Sequence, residues 1–253
     1  MSIILPSFAG IAKPSGGGAA SFSNGYSLSF DGVDDYLDLG STNFISRTSA
    51  FSVSAWFKLD SWANTYPGIC VLKTGNTAGF VIGLSSTSVY KGVWIGESAS
   101  GVTTGFKGFS TNNATLSTAI TSGWHHLVLT FDGVDPQASS STTLYIDGTE
   151  YAMTYAVGIG TNQNVNQVGT TGTYELDGLI DEFAIFNTEL SSSDVTAIYN
   201  SGVPASLTSY SPLAWYRMGD NDSGTGTTVT DQGSGGNNGT LTNGAAFSTT
   251  VPS

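Results

Sequence analysis

The chain is short of charge. Only 10% of its 253 residues are Asp, Glu, Lys or Arg, against roughly a quarter in ordinary globular proteins. Basic residues are the scarcer sign: 7 Lys and Arg face 19 Asp and Glu, for a net charge of −12. Nucleic acid is therefore not an expected partner, because its recognition needs a clustered basic face. The single cysteine, Cys70, cannot form an intrachain disulfide, which excludes a disulfide scaffold. No apolar run reaches the ~18 residues of a membrane-spanning helix, so no membrane partner is expected. The opening Met1-Ser2-Ile3-Ile4-Leu5-Pro6 lacks the basic n-region and full apolar stretch of a secretory signal. Helical periodicity is nearly missing as well. What is plentiful is Gly, Ser, Thr and Asn, the composition of turn-rich β structure with a neutral, hydroxyl-covered surface.

The stretch 176–187 reads as the central strand. Leu179, Asp181, Phe183 and Ile185 share one parity, and Ile180, Glu182, Ala184 and Phe186 the other. Apolar groups on both faces place such a strand inside a two-layer structure. Asp181 and Glu182 are expected to point opposite ways. At least one is then drawn inward, where it needs a backbone N–H, a cation or a metal.

Residues 1–25 read as an arm, with a short apolar head followed by Pro14-Ser15-Gly16-Gly17-Gly18, a flexible tether by composition. Residues 26–39 read as strand, turn, strand, and Asp31, Asp34 and Asp35 crowd the turn. Oxygen-rich loops of this kind can hold Ca²⁺, although Asp also simply favours turns. Further strands are expected at 51–59, 69–72, 79–84, 89–95, 124–131, 143–150 and 213–218, with weaker ones near 152–155 and 167–169. The span 96–117 is expected to hold one irregular strand around 106–109. His125 and His126 are neighbours on a strand and face opposite ways, so a structural role is expected for both. One short helix is predicted at 191–200, capped by a serine of the 191–193 run, with Asp194 near its positive end and Gly202 closing it.

Taken in order, Leu28-Ser29-Phe30-Asp31-Gly32-Val33-Asp34-Asp35-Tyr36, Phe51-Ser52-Val53-Ser54-Ala55-Trp56-Phe57, Trp124-His125-His126-Leu127, Leu144-Tyr145-Ile146-Asp147-Gly148 and Gly178-Leu179-Ile180-Asp181-Glu182-Phe183 resemble the laminin G-like, concanavalin A-like jelly-roll superfamily in its pentraxin-like branch. The resemblance covers about 26–202. It implies an all-β fold: a two-sheet antiparallel jelly-roll sandwich with one short helix, a single domain over 26–253. The segment Trp215-Tyr216-Arg217-Met218 with Asp231 to Gly239 resembles a piece that opens the domain in many relatives. Here it closes the chain, so 207–253 are expected to supply the last strands of the same sandwich. The resemblance also implies Ca²⁺ in many relatives, and Asp31, Asp34 and Asp181 match the family positions.

For function, no catalytic constellation emerges. Glu175-Leu176-Asp177-Gly178-Leu179-Ile180 approaches the glucanase carboxylate strand, but Leu179 and Ile180 stand where the final Glu is needed. A non-enzymatic chain is therefore expected. The glycine-rich arm and closing segment resemble structural proteins of tailed phages. This implies a capsid-decoration or tail-associated accessory protein on the virion surface, joined to virion proteins or to copies of itself through residues 1–25. The alternative is a lectin-like adhesion module for carbohydrate such as host glycans, with Trp62, Tyr66, Tyr90 and Trp94 as candidate sugar contacts and Ca²⁺ as its cofactor. These two readings are compatible.

Overall fold

The computed structural model describes residues 22–75, 79–87, 90–97, 105–155 and 164–253. The first half of the chain supplies β1 (Ser27–Asp31), β2 (Tyr36–Asp38), β3 (Phe51–Ser61), β4 (Gly68–Lys73), β5 (Gly79–Ser85), β6 (Gly92–Glu97), β7 (Phe109–Ser110) and helix α1 (Ala114–Ala119). There follow β8 (His125–Phe131), β9 (Thr142–Ile146), β10 (Thr149–Tyr151), β11 (Thr154–Tyr155), β12 (Gln167–Val168), β13 (Asp177–Phe186) and helix α2 (Ser192–Tyr199). The closing segment carries β14 (Ala214–Tyr216), β15 (Thr228–Val229), β16 (Gly239–Thr242) and β17 (Ala246–Ser248).

The strands form two antiparallel sheets stacked as a jelly-roll-like sandwich. The back sheet has eight strands in the order β10-β9-β8-β3-β13-β1-β17, with β14 also paired to β13. The front sheet has nine, in the order β11-β7-β6-β5-β4-β12-β2-β16-β15. The last four strands thus divide between the sheets, two to each. The core between the layers is fed by alternating inward residues such as Phe51, Val53, Ala55 and Phe57 of β3 and Phe80, Ile82 and Leu84 of β5. Leu116 and Ile120 plug one end of it from α1. That helix, capped by Asn113, lies in the span read as a single irregular strand.

The predicted helix is α2. Ser191 and Asp194 form its capping box, and Asn200 ends it in the left-handed conformation, so the helix closes two residues before Gly202, and a short 3-10 turn spans the gap. Val195 and Ile198 pack with Val128, Ala184, Phe186 and Trp215 on the outer face of the back sheet. That face is covered.

The central strand corrects the simple alternation. Its register against β3 slips between Asp181 and Ala184, and Glu182 sits at φ 47°. One extra residue in a β-bulge shifts every later side chain to the other face. Ile180, Phe183 and Ile185 therefore share the core, while Ala184 and Phe186 face α2. Asp181 and Glu182 serve one cluster: Asp181 bonds Asn24 just before β1, and Glu182 holds Arg217, which bonds the Ser23 carbonyl of the same segment.

Candidate functional site

The outer face of the front sheet carries the chain's second aromatic concentration. Val71 of β4, Val81 of β5 and Trp94 of β6 form an apolar floor, with Tyr66, Tyr90 and Val165 packed against it. Among the described residues no helix lies over this face. Outward positions beside the floor are small: Gly79, Gly83 and Gly96. Trp94 lies flat across Gly83, where a Cβ would come within 2.6 Å of the indole. Its Nε1–H donates to the Leu84 carbonyl at 3.0 Å.

Tyr66 is the hub. Its ring lies 5.8 Å from Tyr90, 6.1 Å from Trp94 and 5.4 Å from Tyr174, edge-on in each case. Such edge-to-face geometry is favoured by the ring quadrupole. Gly68 makes the arrangement possible, because a Cβ there would sit 2.1 Å from the backbone of Thr170 and Thr171. Without one, the approach to β4 passes directly against the turn that presents Tyr174. Trp94 is buried and serves as floor; the three tyrosines are partly exposed. A cross-strand row continues the face: Thr240, Asp38, Gln167 and Val71 are successive register partners. The face therefore offers ring faces beside hydroxyl, amide and carboxylate groups.

The structure thus gathers Tyr66, Tyr90 and Trp94 and adds Tyr174. Trp62 stands apart, packed against the sandwich core.

The carboxylate oxygens of Asp31, Asp34 and Asp35 lie within 4.8 Å of one another. Asp31 Oδ1 accepts the Val33 N–H at 2.8 Å, and Asp35 Oδ2 accepts the Asp31 N–H at 3.0 Å. Asp35 is only 3% exposed, yet its Oδ1 has no hydrogen-bond partner. Burial raises the Asp35 pKa, opposed by the Asp31 N–H and reinforced by the charges of Asp31 and Asp34. A set of hard oxygens with one buried and orphaned fits a cation such as Ca²⁺. Asn64 Nδ2 ties this turn to the aromatic rim, donating to the carbonyls of Gly32 and Glu175 at 2.9 and 2.8 Å.

Asp181 belongs to another group. The register sets Asp177, not Asp181, opposite Asp31. Asp181 accepts from Asn24 Nδ2 and from the Glu182 N–H, both at 2.8 Å. Glu182 accepts from Trp215 Nε1 at 2.6 Å and from Arg217 Nε at 3.1 Å. Arg217 lies 4.3 Å over the Phe22 ring and bonds the Ser23 carbonyl. Burial, then the neighbouring Glu182 charge, raises the Asp181 pKa. Burial pushes Glu182 up to about 7 despite Arg217. This cluster fastens residues 22–25 to the back sheet; residues 1–21 of the expected arm lie outside the described residues.

Both histidines are held within the back sheet. His125 Nδ1 pairs with Asp147 Oδ2 at 2.7 Å. His126, 1% exposed, bonds Ser54 Oγ at 2.9 Å. Its ring packs beside Trp56 and Tyr199, at 4.9 and 6.0 Å, and those two rings lie 5.9 Å from each other.

The family model described as the concanavalin A-like lectin/glucanases superfamily (Laminin_G_3) matches residues 31–196. No curated protein matches the chain. Among solved structures, a candidate carbohydrate-binding protein from Bacteroides ovatus ATCC 8483 superposes with a TM-score of 0.58 at 16% identity, covering 91% of this chain. The chain spans 62% of that protein's length. The heptameric SAP-like pentraxin of Limulus polyphemus gives a TM-score of 0.42 at 14% identity, covering 70% of this chain and 82% of its own. The carbohydrate-binding module (CBM40) of the Ruminococcus gnavus IT-sialidase, bound to α2,3-sialyllactose, gives 0.47 at 14% identity, covering 68% and 96%.

Proposed function

The chain belongs to the concanavalin A-like lectin/glucanase superfamily, and from that premise we propose that it is a glycan-binding module. The observation that carries this reading is the cluster of Tyr66, Tyr90 and Tyr174 over Trp94, on an outer face that no described helix covers. An aromatic ring gives the C–H face of a sugar an apolar platform, and tyrosine adds a polar edge. Asp38, Gln167 and Thr240 stand beside it as hydrogen-bonding groups, the mixture of apolar lining and few polar anchors that small-ligand sites use. The description of the Bacteroides protein supports the same reading.

Binding without hydrolysis is the activity we infer. A retaining glycosidase needs two carboxyl groups about 5–5.5 Å apart, and Leu179 and Ile180 occupy the positions where the glucanase pattern would place its last one. Ca²⁺ at Asp31, Asp34 and Asp35 is part of the proposal; its carboxylate ligands would stiffen the turn that Asn64 joins to the aromatic rim. The expected place in a phage virion turns on the arm, most of which lies outside the described residues. It is compatible with glycan binding, since a sandwich on a particle surface can also touch host sugars.

A glycan array probed with the wild-type chain and with Tyr66→Ala tests the reading. The expected result is a defined set of bound glycans whose binding falls roughly tenfold on loss of the ring, about 1.4 kcal/mol. A silent array, or one unchanged by the substitution, would overturn it.

A further inference from the structure

The closing pair of strands crosses from one sheet to the other, as β1 and β2 do beside it. β16 pairs with β2 in the front sheet, and β17 pairs with β1 in the back sheet. Asn243, Gly244 and Ala245 carry the chain around the open side of the sandwich between them. The loop before β15 stands opposite. Between loop and hairpin lies a cleft of about 430 Å³, walled by Gly224 to Thr227 and by Leu241 to Phe247. Its volume falls within the roughly 300–1,000 Å³ of small-ligand sites.

The lining has a definite chemistry. None of its eleven residues is charged, in a chain of net charge −12. Thr225, Thr227, Thr242 and Asn243 supply hydroxyl and amide groups, while Leu241 and Phe247 supply an apolar side. Leu241 and Phe247 also rest on the sandwich core, so that side is firm. The Thr227 hydroxyl makes no hydrogen bond among the described residues, which leaves it for a ligand. Gly226 faces open space where a Cβ would stand, so the loop leaves the mouth clear. The opposite lip is anchored from behind, where Asn243 Nδ2 donates to the Asp34 carbonyl at 2.8 Å.

We propose that this cleft is a second binding site, for a neutral polyhydroxylated ligand of about one sugar residue, with the ligand's C–H face on Phe247 and Leu241 and its hydroxyls on Thr227 and Asn243. An anion would find no cation to pair with in the lining, and a purely apolar ligand would leave the threonine and amide groups unpaired, which costs affinity. The site is separate from the tyrosine face and does not depend on it.

Saturation-transfer NMR of the full chain with the methyl glycosides of glucose, galactose, arabinose and N-acetylglucosamine tests the proposal. Two variants, Thr227→Trp and Ala246→Trp, both made in the Tyr66→Ala background, each fill the cleft from an exposed position on a different wall, and melting curves confirm that each is folded. Tyr66→Ala leaves the cleft intact. The expected result is a transfer signal for at least one glycoside that survives Tyr66→Ala and is lost in a folded cleft variant. No signal with any of the four, a signal abolished by Tyr66→Ala alone, or one that persists in both cleft variants would overturn the site. The first and third of these leave the tyrosine face untouched as a proposal.

Discussion

Gly83→Ala is the sharpest probe of how the front face is built. A methyl at this position would lie 2.6–2.7 Å from three atoms of the Trp94 ring, closer than any real contact allows. The indole cannot sink, because it already lies against the β5 backbone at Gly83, so it must lift. Lifting stretches its hydrogen bond to the Leu84 carbonyl, now 3.0 Å, and pushes it against Tyr66. Overpacking of this kind costs about 1–3 kcal/mol. A buried N–H left without its partner adds a penalty of similar order. At about 2–4 °C per kcal/mol for a chain of this size, overpacking alone lowers Tm by about 2–12 °C. The near-UV circular dichroism should change as well, because four aromatic rings are coupled through Tyr66. A variant with wild-type Tm and an unchanged near-UV spectrum would refute the claim that Trp94 lies against Gly83, and with it the floor of the proposed site.

Two further perturbations bear on charge. Burial pushes the His126 pKa down to about 3, well below the ~6.5 of an unfolded chain. The unfolded state takes up a proton that the folded state declines, so stability falls as pH drops from about 6.5 towards 3, by on the order of 4 kcal/mol in all. His126→Gln should flatten this part of a Tm-against-pH curve; an equal slope in both proteins would contradict the assignment. Adding Ca²⁺ should raise Tm, by about 2.7 kcal/mol of stability at a hundredfold excess over Kd. Asp35→Ala should abolish that gain and Asp181→Asn should leave it; the reverse pattern, or no gain at all, removes the ion from the acidic turn.

The layers of this fold are legible where alternation is strong. The pattern Phe51, Val53, Ala55, Phe57 marks β3 because each of those side chains enters one core, and a two-residue period has no other cause. The serine-rich start of α2 is legible because capping is a local interaction. Glu182 is not: nothing in a glutamate announces a positive φ, so the bulge and the shared cluster of Asp181 and Glu182 appear only once β3 and β13 are paired. The same holds for the site. Tyr66 and Tyr174 meet through the close approach at Gly68, a contact between distant segments that no spacing encodes. Trp62, equally aromatic and nearby in sequence, goes to the core instead. Asp35 carries the buried oxygen of the acidic turn, while Asp181, matched by its place in a motif, serves the segment before β1.

The central claim is that Tyr66 and its neighbours hold a sugar on the front sheet. Isothermal titration of the best array glycan into wild-type protein and into Tyr66→Ala and Tyr174→Ala tests it most directly. Affinity should fall by roughly tenfold in each variant, with Tm of the variants recorded alongside. Equal affinity in all three folded proteins would contradict the account.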